Sequence, residues 1–563
     1  MKLNGSQIVC ESLMKEGVDI MFGLPGGAIL PFYQVLSKYT QLKHILVRHE
    51  QGAVMAADGY ARATGKVGVC IATSGPGATN LVTGLATAFM DSVPVIAITG
   101  QVARDALGKD AFQEADVTGI TQPVTKHNYL VMSASELPAV IKEAFYLARS
   151  GRPGPVLIDI PKDVLNELSE FEYPESVDPS ICEPTTDITK DQIKKAAKLV
   201  NDSKKPVILS GHGVTISRAF DEVQAFAEKS QIPVITTLLG ISSFPSKHVL
   251  YAGMPGMHGA AYASLAIDEA DLVIGIGMRF DDRVTGKVDA FAPNAKIIHI
   301  DIDPAEIDKN IKATVSLIGD CKEVLNQLLP SISKNTHPNW IKRIDELKNG
   351  HPLRVPETDN LQQQFVIEQL SEATEGKAVI VTGVGQHQMW AAQFYKFAEH
   401  GLFLSSGGLG SMGYEIPAAE GAALGRPDKT VWTIAGDGGM QMTMFELATI
   451  VENRIPVKIA LMNNNYLGMV RQWQDLFYQK DYFATYYSRN PDFVKLAEAF
   501  GLKGMRVTEK SEVMPALKEA MRIDGPVLID FVVDREENVY PMIPPGQTIE
   551  ELVEDPREVA KGT

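Results

Sequence analysis

Residues 431–469 contain the pattern that most constrains the fold of this chain. An apolar run from Val431 leads into a glycine-rich turn and a helical pattern, and a second apolar run follows from Val457. This order of strand, turn, helix and strand predicts a βαβ unit with parallel strands. Asp437 and Asn464 follow the two strands, so we expect both at the carboxyl edge of the sheet, where open α/β sheets bind ligands.

The turn after the first of these strands, Gly436-Asp437-Gly438-Gly439, has the composition of an anion-binding turn. Glycines let the backbone approach a phosphate closely, and the following helix presents unpaired N–H groups to an anion. Asp437 and Asn464 offer oxygen ligands which, with diphosphate oxygens and a water, would complete the octahedral shell that Mg²⁺ requires. The alternative is that the glycines form only a tight turn and the asparagines only a polar loop.

Alternating strand and helix patterns occupy most of the remaining chain and predict its fold class. In the first third, apolar runs near Ile20, Ile45, Gly68 and Pro94 alternate with helical patterns, and the middle of the chain repeats this alternation. Strands that alternate with helices pair in parallel. We therefore predict an α/β protein built from three doubly wound parallel-sheet domains.

A six-residue sequence occurs twice, once near the end of each outer region. Gly154-Pro-Val-Leu-Ile-Asp159 recurs unchanged as Gly525-Pro-Val-Leu-Ile-Asp530, each time as the last strand pattern of its region. The repeat is either chance convergence on a good buried strand or the trace of two related domains. Because the regions that precede the two copies are similar in length, we favour two related α/β domains.

Composition indicates where the domains end. The stretch after residue 168 is rich in proline and acidic residues, which is typical of a linker. Prolines 541, 544 and 545 prevent the last stretch from continuing a helix or sheet, so we expect it to lie over the active site as a tail. The predicted divisions are domains at 1–168, 191–335 and 361–535, linkers at 169–190 and 336–360, and the tail at 536–563.

The overall composition excludes several classes of protein. At 563 residues the chain is too long for a single core. The net charge of −16 argues against nucleic acid or an anionic membrane as a partner, and no apolar run approaches the ~20 residues of a membrane span. The scattered cysteines, Cys10, Cys70, Cys182 and Cys321, predict a reducing compartment. We expect a cytoplasmic protein, although an organellar protein without its transit peptide would have the same features.

The spacing of Gly436-Asp437-Gly438 and Asn463-Asn464, each at its own strand end, resembles the metal-diphosphate motif of thiamin diphosphate (ThDP) enzymes. The resemblance implies that Asp437, Asn464 and the backbone carbonyl of Tyr466 bind Mg²⁺. It also implies an N-terminal domain that binds the pyrimidine of ThDP and a C-terminal domain that binds its diphosphate.

Glu50 follows a predicted buried strand and is preceded by Arg48 and His49. Burial raises the pKa of a carboxylate, which suits a group that donates a proton to the aminopyrimidine ring. In ThDP enzymes a glutamate at this place favours the imino tautomer, and the cofactor then deprotonates its own thiazolium carbon. The alternative is an ion pair between Arg48 and Glu50 at the sheet edge. Since ThDP enzymes bind the two ends of the cofactor with different subunits, the resemblance implies a homodimer or a dimer of dimers.

Over nearly its entire length the chain resembles the catalytic large subunits of the acetohydroxyacid (acetolactate) synthase family. The motifs that carry this resemblance include Phe22-Gly-Leu-Pro-Gly-Gly-Ala-Ile-Leu-Pro31, Ser74-Gly-Pro-Gly-Ala-Thr-Asn80, Arg279-Phe-Asp-Asp-Arg-Val-Thr-Gly286 and Val384-Gly-Gln-His-Gln-Met-Trp390. The resemblance implies decarboxylation of pyruvate and ligation of the hydroxyethyl unit to pyruvate or 2-oxobutyrate. This is the first common step of valine, leucine and isoleucine biosynthesis. It also implies FAD as a structural, non-redox cofactor and a separate regulatory small subunit.

Roles for individual residues follow from the same resemblance. Gly27 would offer a backbone N–H to the reacting oxyanion, and Lys162 would attract anionic 2-oxoacids. From the sequence alone, Lys162 could equally be a solvated loop lysine after Pro161. Arg283 would pair with the carboxylate of the second substrate and Trp473 would favour an ethyl group over a methyl. The implied catalytic residues are Gly27, Glu50, Gln113 and Lys162, and the implied substrate residues are Phe112, Met257, Arg283 and Trp473.

The resemblance also implies two sets of cofactor residues. The ThDP set is Glu50, Val384, Gln386, His387, Gly410, Met412, Gly436, Asp437, Gly438, Gly439, Asn464, Tyr466, Leu467, Gly468 and Met469. Within it, Met412 would be the apolar prop that bends the cofactor. The FAD set is Arg152, Gly211, His212, Gly213, Met257, His258, Gly277, Arg279, Asp281, Arg283, Asp301, Ile302 and Asp320.

One residue departs from the family pattern, and two rival functions remain. Glu415 stands where a glycine is expected, and a carboxylate there would need a partner or solvent. The nearer rival is another ThDP carboligase or decarboxylase; Glu50 argues against the glyoxylate carboligase type, and the 279–286 motif against flavin-free acetolactate synthases. The other rival, a non-catalytic nucleotide-binding regulator, leaves the joint presence of Glu50, Asp437, Asn464 and Lys162 unexplained.

Overall fold

The computed structural model describes residues 1–177 and 188–559, and its N-terminal domain is a parallel sheet between two layers of helices. The strands are β1 Lys2–Asn4, β2 Ile20–Gly23, β3 Lys43–Leu46, β4 Gly68–Ala72, β5 Val95–Gln101, β6 His127–Leu130, β7 Val156–Pro161 and β8 Leu168–Glu170. The helices are α1 Gly5–Lys15, α2 Leu30–Leu36, α3 Glu50–Thr64, α4 Pro76–Thr79, α5 Val82–Met90, α6 Val117–Thr121, α7 Leu137–Arg149 and α8 Lys162–Asn166. The main sheet runs in the order β3-β2-β4-β5-β7-β6, and β1 pairs with β8 in an antiparallel ribbon.

Successive residues of the N-terminal strands point into different cores, as a two-residue period requires. On β4, Val69 and Ile71 pack with α1 and α7, whereas Cys70 and Ala72 pack with α3 and α5. Both faces of the sheet are therefore buried. This explains why these strands appear in the sequence as continuous apolar runs rather than as alternating patterns.

The central domain contains a second parallel sheet. Its strands are β9 Pro206–Ser210, β10 Val234–Thr236, β11 Leu272–Ile276, β12 Lys296–Asp301 and β13 Val315–Ile318. They lie in the order β10-β9-β11-β12-β13. The helices are α9 Lys190–Asp202, α10 His212–Ser217, α11 Phe220–Ser230, α12 Ala261–Asp268, α13 Asp282–Thr285, α14 Cys321–Leu328 and α15 Pro338–Gly350.

Helix α15 lies inside the segment predicted to be the second linker, 336–360. Its Trp340 is 2% exposed and packs in the central core, where its indole N–H donates to the carbonyl of Pro206 at 2.8 Å. Residues 338–350 thus belong to the central domain and do not form a linker. In the first predicted linker, β8 extends to Glu170 and α9 begins at Lys190; residues 178–187, with Cys182, lie outside the described residues.

The C-terminal domain is a third parallel sheet. Its strands are β14 Val379–Thr382, β15 Phe403–Ser405, β16 Val431–Gly436, β17 Val457–Asn463, β18 Lys503–Val507 and β19 Val527–Val532. Its helices are α16 Gln363–Ala373, α17 Gln386–Phe394, α18 Glu415–Gly425, α19 Asp437–Thr443, α20 Glu446–Glu452, α21 Gly468–Phe477, α22 Phe493–Phe500 and α23 Lys510–Arg522, and the tail carries α24 Pro556–Val559. The strand order is β15-β14-β16-β17-β19-β18.

The two outer sheets have the same topology. When only the strands of each six-stranded sheet are numbered along the chain, both sheets have the order 2-1-3-4-6-5. The repeated sequence forms β7 in one sheet and β19 in the other. The three parallel sheets confirm the predicted fold class, and the matching order supports two related outer domains. Within the described residues, 1–177 and 188–559, no helix is long and apolar enough to cross a membrane.

Helices α3 and α18 join the outer domains through small residues. A Cβ atom at Gly421 would lie 1.8 Å from the carbonyl oxygen of Ala56, and one at Gly59 would lie 2.1 Å from that of Ala418. The backbones therefore touch directly, which larger side chains would prevent. This contact sets the position of Glu50, the first residue of α3, relative to the C-terminal domain.

Candidate active site

A cleft of about 570 Å³ opens where the three domains meet. It is lined by the carboxyl ends of β11 and β12 and by loops of the outer domains, as expected for parallel sheets. Twelve of the thirteen residues predicted to bind FAD line this cleft: Arg152, His212, Gly213, Met257, His258, Gly277, Arg279, Asp281, Arg283, Asp301, Ile302 and Asp320. The exception, Gly211, packs beneath it, since a Cβ there would lie 2.3 Å from the carbonyl oxygen of Gly277.

Several buried polar atoms at this cleft have no hydrogen-bond partner in the described part of the chain. They are Nδ1 of His212, Oγ of Ser217, Nε2 of His258 and Oδ1 of Asp281. Burial lowers the pKa of both histidines to about 4, so both are neutral near pH 7. Buried polar groups normally have partners. A large cleft with unpaired donors and acceptors fits a long polar ligand such as a dinucleotide.

Two predicted FAD residues already have partners within the chain. Arg152 binds Glu306 at 3.0 Å and Asp303 at 3.3 Å. Asp320 caps α14 by accepting from the amides of Lys322 and Glu323. Both still line the cleft, so a ligand role for them would be added to a structural one.

A smaller cavity of about 50 Å³ adjoins the cleft at the carboxyl ends of β16 and β17. The two share Val384, Gly385, Met412, Met469 and Val470. Gly410 lines the larger cleft, and the other C-terminal residues of the predicted ThDP set line the smaller one: Val384, Gln386, His387, Met412, Gly436, Asp437, Gly438, Gly439, Asn464, Tyr466, Leu467, Gly468 and Met469. The tertiary fold thus brings this set together from four separate stretches of sequence.

The glycine turn is tighter than the sequence predicts. Gly436 is the last residue of β16, and helix α19 begins at Asp437 without an intervening loop. The amides of the first helical turn therefore start directly at the strand end, where they are available to an anion. A Cβ at Gly438 would lie 2.9 Å from Leu467, and one at Gly468 2.3 Å from Oε1 of Gln386, so side chains there would fill this space.

Asp437 is 1% exposed, and burial raises its pKa to about 6. The side-chain amide of Asn490 donates to its Oδ2 at 2.7 Å. Asn464 uses its Oδ1 to accept the amide of Tyr466 at 3.0 Å. A carboxylate, an amide oxygen and a nearby backbone carbonyl are hard oxygen donors, so this arrangement fits Mg²⁺ bound together with a diphosphate.

Glu50 is the first residue of helix α3 and not the last residue of a strand, because β3 ends at Leu46 and His49 caps the helix. It is 7% exposed, and its Oε2 accepts the side-chain amide of Asn80 at 2.9 Å. The alternative ion pair with Arg48 is wrong: the Arg48 guanidinium binds Glu452 and the carbonyl of Leu46.

The turn that contains Gly75 and Gly77 lies close to both Glu50 and Gln113, a second predicted catalytic residue. A Cβ at Gly77 would approach Oε1 of Glu50 at 3.2 Å, and one at Gly75 would lie 2.8 Å from the carbonyl of Gln113. Gly27 is open, with no described atom beyond its chain neighbours within 4 Å of its Cβ position. Lys162, the first residue of α8, is exposed, and Phe112 is 88% exposed.

Within one chain, the predicted catalytic and substrate residues of the N-terminal domain do not line the two cavities. Gly27, Glu50, Phe112, Gln113 and Lys162 are absent from the described residues that line either cavity. Within a single chain, the cavities that hold the C-terminal half of the predicted site are therefore not lined by its N-terminal half.

Met257, Arg283 and Trp473, the other predicted substrate residues, all line the large cleft. Nη1 of Arg283 donates to the sulfur of Met257 at 3.2 Å. The tail covers this region, because the amide of Ile543 donates to the carbonyl of Met257 at 2.9 Å and Gln386 donates to the carbonyl of Glu537 at 2.8 Å. The expected position of the tail over the site matches these contacts.

Glu415 has neither the partner nor the solvent that a carboxylate there was expected to need. It is fully buried, and neither carboxyl oxygen has a hydrogen-bond partner among the residues described. Burial raises its pKa to about 7, although the amides of Gly413 and Glu415 act in the opposite direction. The carboxyl group is thus only about half ionised near pH 7, and it occupies space beside Gly383 and Gly439.

The sequence did not single out four residues of the small cavity region: Gln363, Gly385, Val470 and Asn490. Gln363 is 3% exposed, lines the cavity and leaves its Oε1 without a partner in the described structure. A run of three glutamines, 362–364, just before a helical pattern was a weak signal. Asn490 had none, since it lies in a polar loop far from Asp437 in sequence.

Comparisons with known proteins agree with this architecture. Residues 3–120, 193–328 and 383–531 match, respectively, the N-terminal TPP binding, central and C-terminal TPP binding domains of thiamine pyrophosphate enzymes. The chain is 51% identical to the acetolactate synthase large subunit of Corynebacterium glutamicum, over 97% of this chain and 89% of that protein. It is 50% identical to the acetolactate synthase of Mycobacterium bovis, over 98% and 91%.

A plant relative extends the similarity. Acetolactate synthase 1, chloroplastic, of Nicotiana tabacum is 46% identical over 98% of this chain and 84% of that protein. The similarity therefore covers all three domains and the elements that form both cavities. These matches confirm the resemblance found in the sequence: the chain belongs to the acetolactate synthase large-subunit family of thiamine pyrophosphate enzymes.

Proposed function

We propose that the protein is an acetolactate (acetohydroxyacid) synthase, a transferase that decarboxylates pyruvate and joins the hydroxyethyl unit to a second 2-oxoacid. The second substrate is pyruvate or 2-oxobutyrate, as in the first common step of branched-chain amino-acid synthesis. The observation that carries the proposal is the continuity of the two cavities. Asp437 and Asn464 lie in one, Arg283 and Trp473 lie in the other, and Met412 and Met469 line both.

Three cofactors fit the residues at these cavities. Asp437, Asn464 and the carbonyl of Tyr466 would hold Mg²⁺ and the diphosphate of ThDP, and the large cleft would hold FAD as a structural group. Bound ThDP supplies a nucleophilic carbon that adds to the carbonyl of a 2-oxoacid. The residues of the chain orient the substrates and exclude water: Arg283 offers a fork of N–H donors to a carboxylate, and Trp473 shapes an apolar wall.

The separation of Glu50 from Asp437 within one chain supports a homodimer or a dimer of dimers. A second copy that places its Glu50 and Gln113 against the small cavity would complete the site. The exposed ring of Phe112 would then be covered. A separate small regulatory subunit and a cytoplasmic location stay predictions that rest on the family.

A different ThDP carboligase or decarboxylase is the second candidate function. The Arg283 guanidinium at the mouth of the cleft favours the ligase, because a simple decarboxylase has no second carboxylate to bind.

Product analysis tests the proposal directly. The purified protein is given pyruvate with 2-oxobutyrate, and ThDP, Mg²⁺ and FAD are omitted in turn. We expect both acetohydroxyacids only when all three cofactors are present. Acetaldehyde alone, or products that do not depend on FAD, would move the assignment to a flavin-free relative. No turnover would favour a nucleotide-binding regulator.

A further inference from the structure

Helix α20 of the C-terminal domain contacts the turn that precedes Glu50. Its first residue, Glu446, is fully buried. Oε1 of Glu446 accepts the backbone amides of Arg48 and His49, each at 3.1 Å, and Oε2 accepts the Arg48 amide at 3.2 Å. The residues of the N-terminal domain that lead into Glu50 are therefore held by a carboxylate from another domain.

The surroundings of Glu446 fix this carboxylate in place. The hydroxyl of Thr449, one turn along α20, donates to its Oε2 at 2.6 Å. A Cβ at Gly52 would lie 2.2 Å from its Oε1, so only a glycine on the first turn of α3 leaves the carboxylate room. At the other end of α20, Glu452 binds the Arg48 guanidinium.

A second buried carboxylate, that of Glu420 on α18, lies near Glu446. Neither of its oxygens has a hydrogen-bond partner within residues 1–177 and 188–559. Burial, with a further contribution from Glu446, raises the pKa of Glu420 well above its usual range. Burial raises the pKa of Glu446 as well, but the Thr449 hydroxyl and the amides of Arg48 and His49 act in the opposite direction. Glu446 is therefore the member of the pair better suited to carry the charge.

We propose that Glu446 is a positioning residue for Glu50, holding the Arg48-His49 turn so that the Glu50 carboxyl points at the cofactor pyrimidine. This inference rests on the proposed ThDP chemistry. Among the residues described, the Glu50 carboxyl has one side-chain partner, Asn80, so its direction depends on the backbone of the first turn of α3. A displacement of about 1 Å at a catalytic group can cost up to about a hundredfold in rate.

The position of α20 gives this contact a second consequence. Helices α19 and α20 follow one another closely, and α19 begins at the proposed metal ligand Asp437. In a dimer whose sites combine two chains, Asp437 serves one cofactor and Glu50 of the same chain serves the other. The hydrogen bonds of Glu446 then connect α19, which would bind the diphosphate in one site, with the turn before Glu50, which would serve the other site.

The substitution Glu446→Gln tests the assignment. It keeps the size of the side chain but turns an N–H group toward one of the amides. In the ThDP-loaded protein, the rate at which the cofactor C2 proton exchanges with deuterium, followed by NMR, should fall at least about tenfold. The dissociation constant of ThDP and the melting temperature should stay close to wild type, because the diphosphate site is intact.

Two further variants sharpen this test. Glu452→Gln removes a carboxylate from the same helix that contacts only the Arg48 side chain, and it should leave the exchange rate within about twofold, since exposed ion pairs contribute little. Gly52→Ala should displace the Glu446 carboxylate without removing its charge, and it should slow exchange even if Glu446→Gln fails to fold.

Distinct outcomes separate this inference from the proposed function. An exchange rate per bound cofactor that matches wild type in both Glu446→Gln and Gly52→Ala overturns the positioning role. So does a loss of exchange that only follows a loss of ThDP binding. A wild-type protein that neither binds ThDP nor promotes exchange overturns the proposed function, and the positioning role with it.

Discussion

The side-chain amide of Asn490 donates to Oδ2 of Asp437 at 2.7 Å and to the side-chain oxygen of Asn465 at 3.0 Å. Asn490 thus orients the proposed metal ligand from a loop that follows α21. Residues that orient metal ligands commonly affect affinity by about 10–100-fold. We therefore expect Asn490→Ala to weaken Mg²⁺ binding about tenfold, measured by calorimetric titration of the ThDP-saturated protein. Asn201→Ala, whose side chain bonds Ser331 and Ser333 in the central domain, is the control. Equal Mg²⁺ affinity in wild type and Asn490→Ala would contradict the role.

The aspartates that end the two copies of the repeated sequence, Asp159 and Asp530, have different surroundings. Asp159 accepts from Thr99 at 2.7 Å and from Gln101 at 2.9 Å, and burial raises its pKa from 3.8 to about 7. Asp530 instead binds Arg506 at 3.0 Å and Asn463 at 2.9 Å. The same residue at equivalent places therefore has neutral partners in one domain and a cation in the other.

Because the pKa of Asp159 is higher in the folded than in the unfolded chain, the folded state binds more protons between these values. Its contribution to stability is present below about pH 4 and is lost as the pH rises through about 7. Asp159→Asn should remove this loss. From pH 4 to pH 8, its free energy of unfolding should rise relative to that of wild type by up to about 4 kcal/mol. Urea unfolding midpoints of both proteins at the two pH values measure this change. Asp530→Asn should instead lower the midpoint at pH 8, since it removes the buried one of the two carboxylates that bind Arg506. Parallel shifts in both variants would refute the distinction.

The packing of α3 on α18 predicts a strong size limit at Gly421. A Cβ there would lie 1.8 Å from a backbone oxygen that cannot move independently. We expect Gly421→Ala to destabilise the chain by about 3 kcal/mol or more, seen as a lower melting temperature. Gly350→Ala adds the same atom where no described atom lies within 4 Å, and it should be neutral or slightly stabilising. Equal melting temperatures for the two variants would show that the helices can separate.

Trp473 should control the choice of second substrate. Its ring lies 5.5 Å from that of Phe477, one turn along α21, and it lines the large cleft. One methylene in an apolar pocket is worth about 1–3 kcal/mol. Trp473→Leu should therefore lower the ratio of 2-aceto-2-hydroxybutyrate to acetolactate about tenfold in competition assays. Phe477→Leu, outside this cleft, should leave the ratio nearly unchanged; the opposite order of effects would exclude Trp473 as the determinant.

Local patterns in the sequence were sufficient for much of the fold. Continuous apolar runs between glycine-rich turns predicted parallel strands buried on both faces, and the repeat of residues 154–159 at 525–530 pointed to two domains that share one strand order. The same apolar runs located the ends of β16 and β17, so the sequence predicted Asp437 and Asn464 at one edge of the sheet.

Other features depended on contacts between residues distant in sequence. Nothing local indicated that Asn490 reaches Asp437, that α15 covers the central sheet through Trp340, or that Glu446 holds the turn before Glu50. Glu50 itself was expected at a strand end, because the two residues between a strand and a capped helix leave little trace in the pattern.

The sequence by itself determined most of the strands and helices, the order of the three domains and the residue types at the strand ends. These are set by hydrophobic periodicity and backbone preference, which act over a few residues. The tertiary structure alone decided which strand ends face one another, which carboxylates are buried side by side, and that Glu50 does not line the cavity of Asp437 in the same chain. Those outcomes depend on packing and burial across domains, where backbone contact at Gly421 and desolvation at Glu420 and Glu446 outweigh any local preference.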